Sequence, residues 1–278
     1  MSPATHRMRD YFVYLPRGYE DDPGAQWPTI VFLHGHGERG DGQEELGWVM
    51  SHGPLYEAWI LKRDLPFILV VPQLPMFDMK ESAPYLEFRD QSKMPRQLPG
   101  PPPERKADFE TPQPMTGAVP EVELPYGKEG PPSGWSDYRH ELVEMILFVQ
   151  STYRSDRHRL YLTGLSYGGF GTWWLAAQCP QMFAAIAPVV GWGHPDLMPA
   201  LADPPMPVWA FAGGRDDAVR TKHFFAGLNE LERLGHRDVR FTIHEDMGHD
   251  VWKRVYGGQD IYDWLLQHSR NKAISGAQ

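Results

Sequence analysis

The run Arg159-Leu160-Tyr161-Leu162-Thr163-Gly164-Leu165-Ser166-Tyr167-Gly168-Gly169 decides how the rest of the chain is read. Its first five residues form a strand-like stretch. A helix-like stretch follows the serine and ends near Cys179-Pro180. A serine in Gly-x-Ser-x-Gly between a strand and a helix reads as a nucleophile elbow. The turn is so tight that its flanking residues must be very small, which glycine satisfies by lacking a Cβ. The serine is then held in a strained conformation with its hydroxyl above the sheet edge. A glycine-rich turn without chemistry carries the same local pattern, so the reading depends on the remainder of the chain.

Outward from this point, apolar runs alternate with helical ones. Tyr11 to Pro16 is apolar and aromatic and reads as an early edge strand closed by its proline. Thr29 to Leu33 and Phe67 to Val71 are continuously apolar, as strands covered on both faces are. Leu142 to Val149 belongs to a helix that starts near Ser136 or Asp137. Ala184 to Val190, Val208 to Ala212 and Val239 to His244 supply further strands. Phe224, Leu228, Leu231 and Leu234 stand at helical spacing, and Ile261 to Leu266 begins a closing helix. The alternation predicts an α/β fold, a mostly parallel sheet with helices on both faces. The reading is one domain over residues 1–278.

Residues 76–134 break the rhythm. They hold 12 of the 27 prolines, a density that excludes helix interiors and central strands. The segment falls between a core strand and a core helix, so it is an insertion and not a linker. It leaves a strand at its C-terminal end, the edge that carries the ligand crevice in open α/β sheets. Long segments of this kind are usually either functional or disordered. The expectation is a lid or pocket wall, packed through Phe77, Tyr85, Phe88, Phe109 and Tyr126, against the alternative of a decorative loop.

A serine hydroxyl needs a base, and the base needs an orienting acid. In this type of fold the chain order is Ser, then Asp or Glu, then His. Gly213-Gly214-Arg215-Asp216-Asp217 follows one strand and Asp246-Met247-Gly248-His249-Asp250 follows the next. Both loops leave strand C-termini on the edge that carries Ser166. Asp216 is preferred as acid, with Asp217 the turn or capping residue. His249 is preferred as base over His244, which belongs to the strand end. One oxyanion donor is expected from the backbone N–H of Tyr167, at the helix N-terminus. The second is expected from His34-Gly35-His36-Gly37-Glu38-Arg39-Gly40, with the N–H of His36 ahead of that of Gly37. The His36 imidazole reads as pocket wall. Gly37 and Trp192, the latter in Gly191-Trp192-Gly193, are the candidate substrate-binding residues; for Trp192 the plain alternative is a packing tryptophan. No third ligand of metal spacing stands beside the two loop histidines, so no metal and no cofactor are expected.

Composition narrows the partners. The net charge of −9 argues against nucleic acid and anionic membranes, which reward Lys/Arg clusters. No stretch is long and apolar enough to span a membrane. The single cysteine, Cys179, cannot form an intrachain disulfide and reads as a buried thiol. The N-terminal residues lack the apolar region of a signal peptide, so a cytoplasmic location is the expectation, the sequence being silent on any leader already removed.

Taken together, five motifs in one order resemble a known group. Leu33-His34-Gly35-His36-Gly37-Glu38-Arg39-Gly40-Asp41, His52-Gly53-Pro54, Pro66 to Gln73, Tyr161 to Gly169, and Trp209 through Asp217 with Gly248 to Trp252 are similar to the α/β-hydrolase esterases once labelled predicted peptidases. These are related to phospholipase/carboxylesterase and polyhydroxybutyrate-depolymerase-like groups and to some feruloyl esterases. The resemblance covers nearly all of the chain except about residues 76–134. It implies the α/β-hydrolase fold and supports Asp216 as acid. Leu74 stands where that group commonly has a cysteine, and Ala212 where it has a histidine. The expected activity is serine carboxylic-ester hydrolysis through an acyl-enzyme, on small or aryl esters, hydroxycinnamoyl esters among them. A peptidase or amidase on the same fold is the main alternative, and a non-catalytic binding module the other.

Overall fold

Each apolar run read as a strand forms one in the computed structural model, which describes residues 2–77, 79, 83–86, 88–103 and 123–270. The strands are β1 (Phe12–Tyr14), β2 (Trp27–Leu33), β3 (Ile68–Val71), β4 (Ser155–Leu165), β5 (Ala185–Val189), β6 (Val208–Gly213) and β7 (Val239–His244). They build one seven-stranded sheet in the order β1-β3-β2-β4-β5-β6-β7. β1 runs antiparallel to β3, and all other neighbours are parallel.

The side-chain period of two explains why these runs are apolar throughout. Val31 and Leu33 of β2, Ile68 and Val70 of β3, and Val208 and Ala210 of β6 enter one core. Ile30 and Phe32, Leu69 and Val71, and Trp209 and Phe211 enter the core on the opposite face. The first core is closed by α2 (Arg139–Thr152), α3 (Tyr167–Gln178), α4 (Met198–Ala202) and α5 (Phe224–Arg233). The second is closed by the helical stretch Leu46–Ile60, which contains α1 (Gly53–Leu55), and by α6 (Trp252–Gly257) and α7 (Asp260–Leu266). Helices therefore cover both faces, as expected. Cys179 is buried at the C-terminal cap of α3.

The topology places the site. From β2 the chain moves to β3 on one side, and it returns to β4 on the other side of β2. The loops leaving β2 and β4 thus diverge from adjacent strands, the switch point where open α/β sheets bind ligands. Leu33 pairs with Gly164, so the turn after β2 stands abreast of the elbow after β4. This contact tolerates no added atoms. A Cβ on Gly168 would lie 1.8 Å from the carbonyl oxygen of Leu33, and one on Gly164 would lie 2.4 Å from that of Gly168.

The described part of the insertion has only short 3-10 turns, Pro84–Leu86 and Gln91–Lys93, consistent with its prolines. Phe77 and Leu124 pack on the first core. Tyr126 meets Phe170 edge-on at 5.7 Å and stacks on Trp192 at 6.0 Å. Phe88 is 82% exposed, and Phe109 falls outside the described residues.

The backbone at Gly168 cannot retreat as a side chain can. Gly168→Ala should destabilise the protein by more than about 3 kcal/mol in urea unfolding. A loss below about 1 kcal/mol would contradict the packing described here.

Candidate active site

Ser166 joins β4 to α3 with φ 51° and ψ −116°, a backbone conformation that an L-residue adopts only under constraint. Its N–H donates to the Val189 carbonyl at 3.0 Å, and its carbonyl accepts from the Phe170 N–H at 3.1 Å. The turn is thereby tied to β5 on one side and to the first turn of α3 on the other. The hydroxyl is left at the sheet edge, where His249 Nε2 lies 3.1 Å from Ser166 Oγ.

His249 comes from the loop after β7 and Asp216 from the loop after β6. Gly213 pairs with His244, and the Arg215 N–H donates to the Met247 carbonyl at 2.9 Å, so the two loops are stitched together. His249 Nδ1 stands 2.7 Å from Asp216 Oδ2. The other carboxylate oxygen, Oδ1, accepts the N–H groups of Ala218 and Val219, each at 2.8 Å. The Asp216 side chain is wholly buried, and these donors fix its orientation. With Asp216 as acceptor, Nδ1 carries a proton and Nε2 faces the serine hydroxyl. Asp217 is exposed, and the turn-capping expected of it is done by Asp216 itself. His244 ends β7, and its carbonyl accepts from the N–H groups of Gly214 and Met247. Asp246 is gripped by both terminal nitrogens of Arg254, at 2.6 and 2.5 Å, which anchors the loop that carries His249.

The loop after β2 lies on the other side of the serine. His36 opens a 3-10 turn and Tyr167 opens α3, so neither N–H has a partner within its own helix. The Tyr167 ring stands between the His36 ring and the Arg39 guanidinium, each 4.9 Å away. Gly37 is exposed, and a Cβ there would meet nothing within 4 Å. Trp192 is 2% exposed, enclosed by Phe170, Tyr126 and His223. It is thus a packed ring beneath Tyr126.

The insertion fastens this loop. Arg89 donates to the carbonyls of Gly37 and Arg39, both at 2.7 Å, and pairs with Glu45 at 2.9 Å. Tyr85 Oη is 2.6 Å from His36 Nδ1. Arg39, fully buried, donates to the carbonyls of Pro75 at 2.8 Å and Ser133 at 2.6 Å, joining the loop to both ends of the insertion. Burial lowers its pKa to about 10, opposed by Tyr167, Tyr85 and Asp137. None of these partners was visible in the sequence, where only the charged pair Glu38-Arg39 between glycines marked the loop as unusual.

Three histidines around this loop are kept neutral by burial. The pKa of His34 falls to about 3, and those of His36 and His52 to about 4. His34 Nε2 accepts the Leu74 N–H at 2.9 Å, and its Nδ1 lies 2.6 Å from the Gly35 carbonyl. Glu38 is shifted the other way, up to about 7, again by burial. Among the described residues no group of three or more His, Cys, Asp or Glu is arranged to hold a metal ion, and no helix is long and apolar enough to cross a membrane.

With this geometry in place, the likenesses to known proteins fall into one pattern. The model of the prolyl oligopeptidase family matches residues 138–200, which carry the elbow. A Methylorubrum extorquens protein named as a carboxymethylenebutenolidase is 28% identical over 151 residues, 46% of this chain and 50% of its own. A thermostable esterase is 25% identical with a TM-score of 0.58, over 94% of this chain and 59% of that one. A feruloyl esterase module from Clostridium thermocellum, solved with sinapinate, is 17% identical with a TM-score of 0.54, over 95% and 88%. The chain therefore spans half the length of the curated relative and under two thirds of the thermostable esterase. The sheet order and these likenesses give the chain the α/β-hydrolase fold.

The neutral histidines set the acid behaviour. Their folded pKa values lie below the unfolded one, so the unfolded state binds more protons between about pH 6.5 and about pH 4. Stability is present above this window and is lost as pH falls through it, with Glu38 opposing in part. The melting temperature should fall on acidification from about pH 6.5 to about pH 4, and His52→Gln should make the decline shallower. An unchanged slope in the variant would show that His52 is not held neutral.

Proposed function

We propose that the protein is a serine hydrolase of carboxylic esters. The observation that carries this reading is the continuous relay from Ser166 Oγ through His249 to buried Asp216, at 3.1 and 2.7 Å, on a strained elbow. Ser166 attacks the acyl carbon as His249 Nε2 takes its proton. Asp216 holds the imidazole tautomer and stabilises the cation that forms. The negative charge on the carbonyl oxygen is received by the N–H groups of Tyr167 and His36. Collapse expels the alcohol, which takes the proton from His249 and leaves an acyl-enzyme. Water then repeats the sequence with His249 as base, releasing the acid and restoring the serine.

The insertion serves as pocket wall in this reading. Tyr85 and Arg89 hold the oxyanion loop, and Tyr126 roofs Trp192 and Phe170 beside the elbow helix. A wall of aromatic rings suits flat acyl groups, which supports small or aryl esters, with hydroxycinnamoyl esters as the class to test first. A peptidase or amidase is the second reading, favoured by the match of residues 138–200 to the prolyl oligopeptidase family.

A panel of p-nitrophenyl, hydroxycinnamoyl and aminoacyl-amide substrates separates the two. Ester turnover should dominate, and Ser166→Ala should reduce it by at least about 10⁴-fold. Asp216→Asn should leave the fold intact and lower kcat by roughly 10³- to 10⁴-fold, because the imidazole loses its tautomer. Wild-type rates in Ser166→Ala would end the nucleophile assignment, and amide turnover exceeding ester turnover would reverse the ranking. Tyr126→Ala should raise KM for aryl esters several-fold while sparing acetyl esters. Equal effects on both would remove the wall.

A further inference from the structure

Glu38 is a buried acid that the mechanism above leaves unused. It closes the 3-10 turn of the oxyanion loop and is 7% exposed. Its Oε1 lies 3.7 Å from His52 Nε2 and its Oε2 lies 3.7 Å from His34 Nδ1, both too far for hydrogen bonds. Oε2 is buried without a hydrogen-bond partner. The carboxyl also reaches toward the nucleophile. The point where a side chain on Gly35 would begin is 3.3 Å from Glu38 Oε2 and 3.6 Å from Ser166 Cβ. Glu38 Oε2 and Ser166 Cβ therefore both flank Gly35, with the Leu165 side chain nearer still at 2.7 Å from that point, one residue before the proposed oxyanion donor His36.

The groups around Glu38 do not neutralise a negative charge. His34 spends Nδ1–H on the Gly35 carbonyl, and burial holds it neutral. His52 is held neutral by burial and by Lys253, against a smaller opposing effect of Asp250. Arg89 favours the ionised carboxyl from a distance, but its hydrogen bonds go to Gly37, Arg39 and Glu45. Arg39 is directed to Pro75, Ser133 and the Tyr167 ring, and Tyr85 is a neutral phenol on His36. The N–H groups of Glu38 and Gly35 favour the ionised carboxyl, but burial outweighs them. A buried carboxylate so poorly matched favours its neutral form.

We propose that Glu38 works protonated: its neutral carboxyl, between His34 and His52, keeps negative charge away from the forming oxyanion. Loss of that proton sets a like charge beside the oxyanion, on the side of the serine away from the base. The His52 ring packs on Trp252 at 5.4 Å, and Trp252 stands edge-on to His249 at 5.1 Å, so two rings separate Glu38 from the imidazole. The effect on the oxyanion therefore outweighs any stabilisation of the imidazolium. The proposal rests on the hydrolase reading, since it needs an oxyanion to form.

The test is the rate of Ser166 phosphonylation by a fluorophosphonate, which uses nucleophile, base and oxyanion donors without requiring the natural ester. Wild type and Glu38→Gln are compared from about pH 5.5 to about pH 9. The ratio of variant to wild-type rate is read, because pH effects common to both proteins divide out. It should be near one at the acid end and rise roughly tenfold across neutrality, since the amide copies the neutral carboxyl and cannot ionise. A ratio that stays flat, or that falls with pH, overturns the proposal while leaving the nucleophile assignment standing. No labelling of wild type at any pH overturns the hydrolase reading and this proposal with it. Should the glutamine variant fail to fold, the wild-type profile decides: the proposal requires an alkaline decline, and a rate that climbs to a plateau near about pH 9 overturns it.

Discussion

The strained backbone of Ser166 is the constraint on which the rest of the structure depends. Such a conformation survives only where the surroundings over-determine it. Here β5 holds the serine N–H, α3 holds its carbonyl, and β2 presses the Leu33 carbonyl against Gly168. Each tie requires a neighbouring strand or helix in its place. The parallel register of β2, β4 and β5 is thus the mechanical support of one hydroxyl group. The Ser166 hydroxyl gains a fixed direction, and the loops that complete the site are aimed at it by strands in the same sheet.

The electrostatics divide on either side of the serine. On the side of β6 and β7 the buried Asp216 carboxyl is hydrogen-bonded through both oxygens, with His249 between it and Ser166. On the side of β2 the buried groups are kept uncharged instead, with His34 and His36 lowered and Glu38 raised. One cause, removal from water, pushes acids and bases in opposite directions toward neutrality. The difference between the two carboxyls is donors: Asp216 has two good backbone N–H partners, and Glu38 has an oxygen with none. Under the proposed hydrolysis this asymmetry puts negative charge behind His249, where a cation would form, and keeps it from the proposed oxyanion donors.

The described residues of the insertion are tied to the loop after β2. Tyr85 and Arg89 hold the backbone of the β2 loop by hydrogen bonds, and Arg39 returns the connection to Pro75 and Ser133. A proline-rich segment suits such a role. It loses less conformational entropy on ordering than a flexible one and needs few ladder hydrogen bonds.

The seven strands were legible because each is apolar along its length, and the two-sided burial of β2, β3 and β6 supplies the physical reason. The Ser166, Asp216 and His249 order was legible because strand-end loops in a parallel sheet share one edge. Their convergence is a matter of topology more than of any single contact. Sequence reasoning did not find that Asp216 serves both His249 and its own turn, because the choice between adjacent aspartates is made by the Ala218 and Val219 N–H groups. Nor did it find that Trp192 is roofed by Tyr126, that Arg89 grips the loop after β2, or that Glu38 Oε2 and Ser166 Cβ flank Gly35. Local pattern determines strands, elbow and loop order, since these follow from spacing and from which residues tolerate a tight turn. Tertiary structure alone decides burial and the matching of donors to acceptors between distant segments, and those set the charge state of each group at the site.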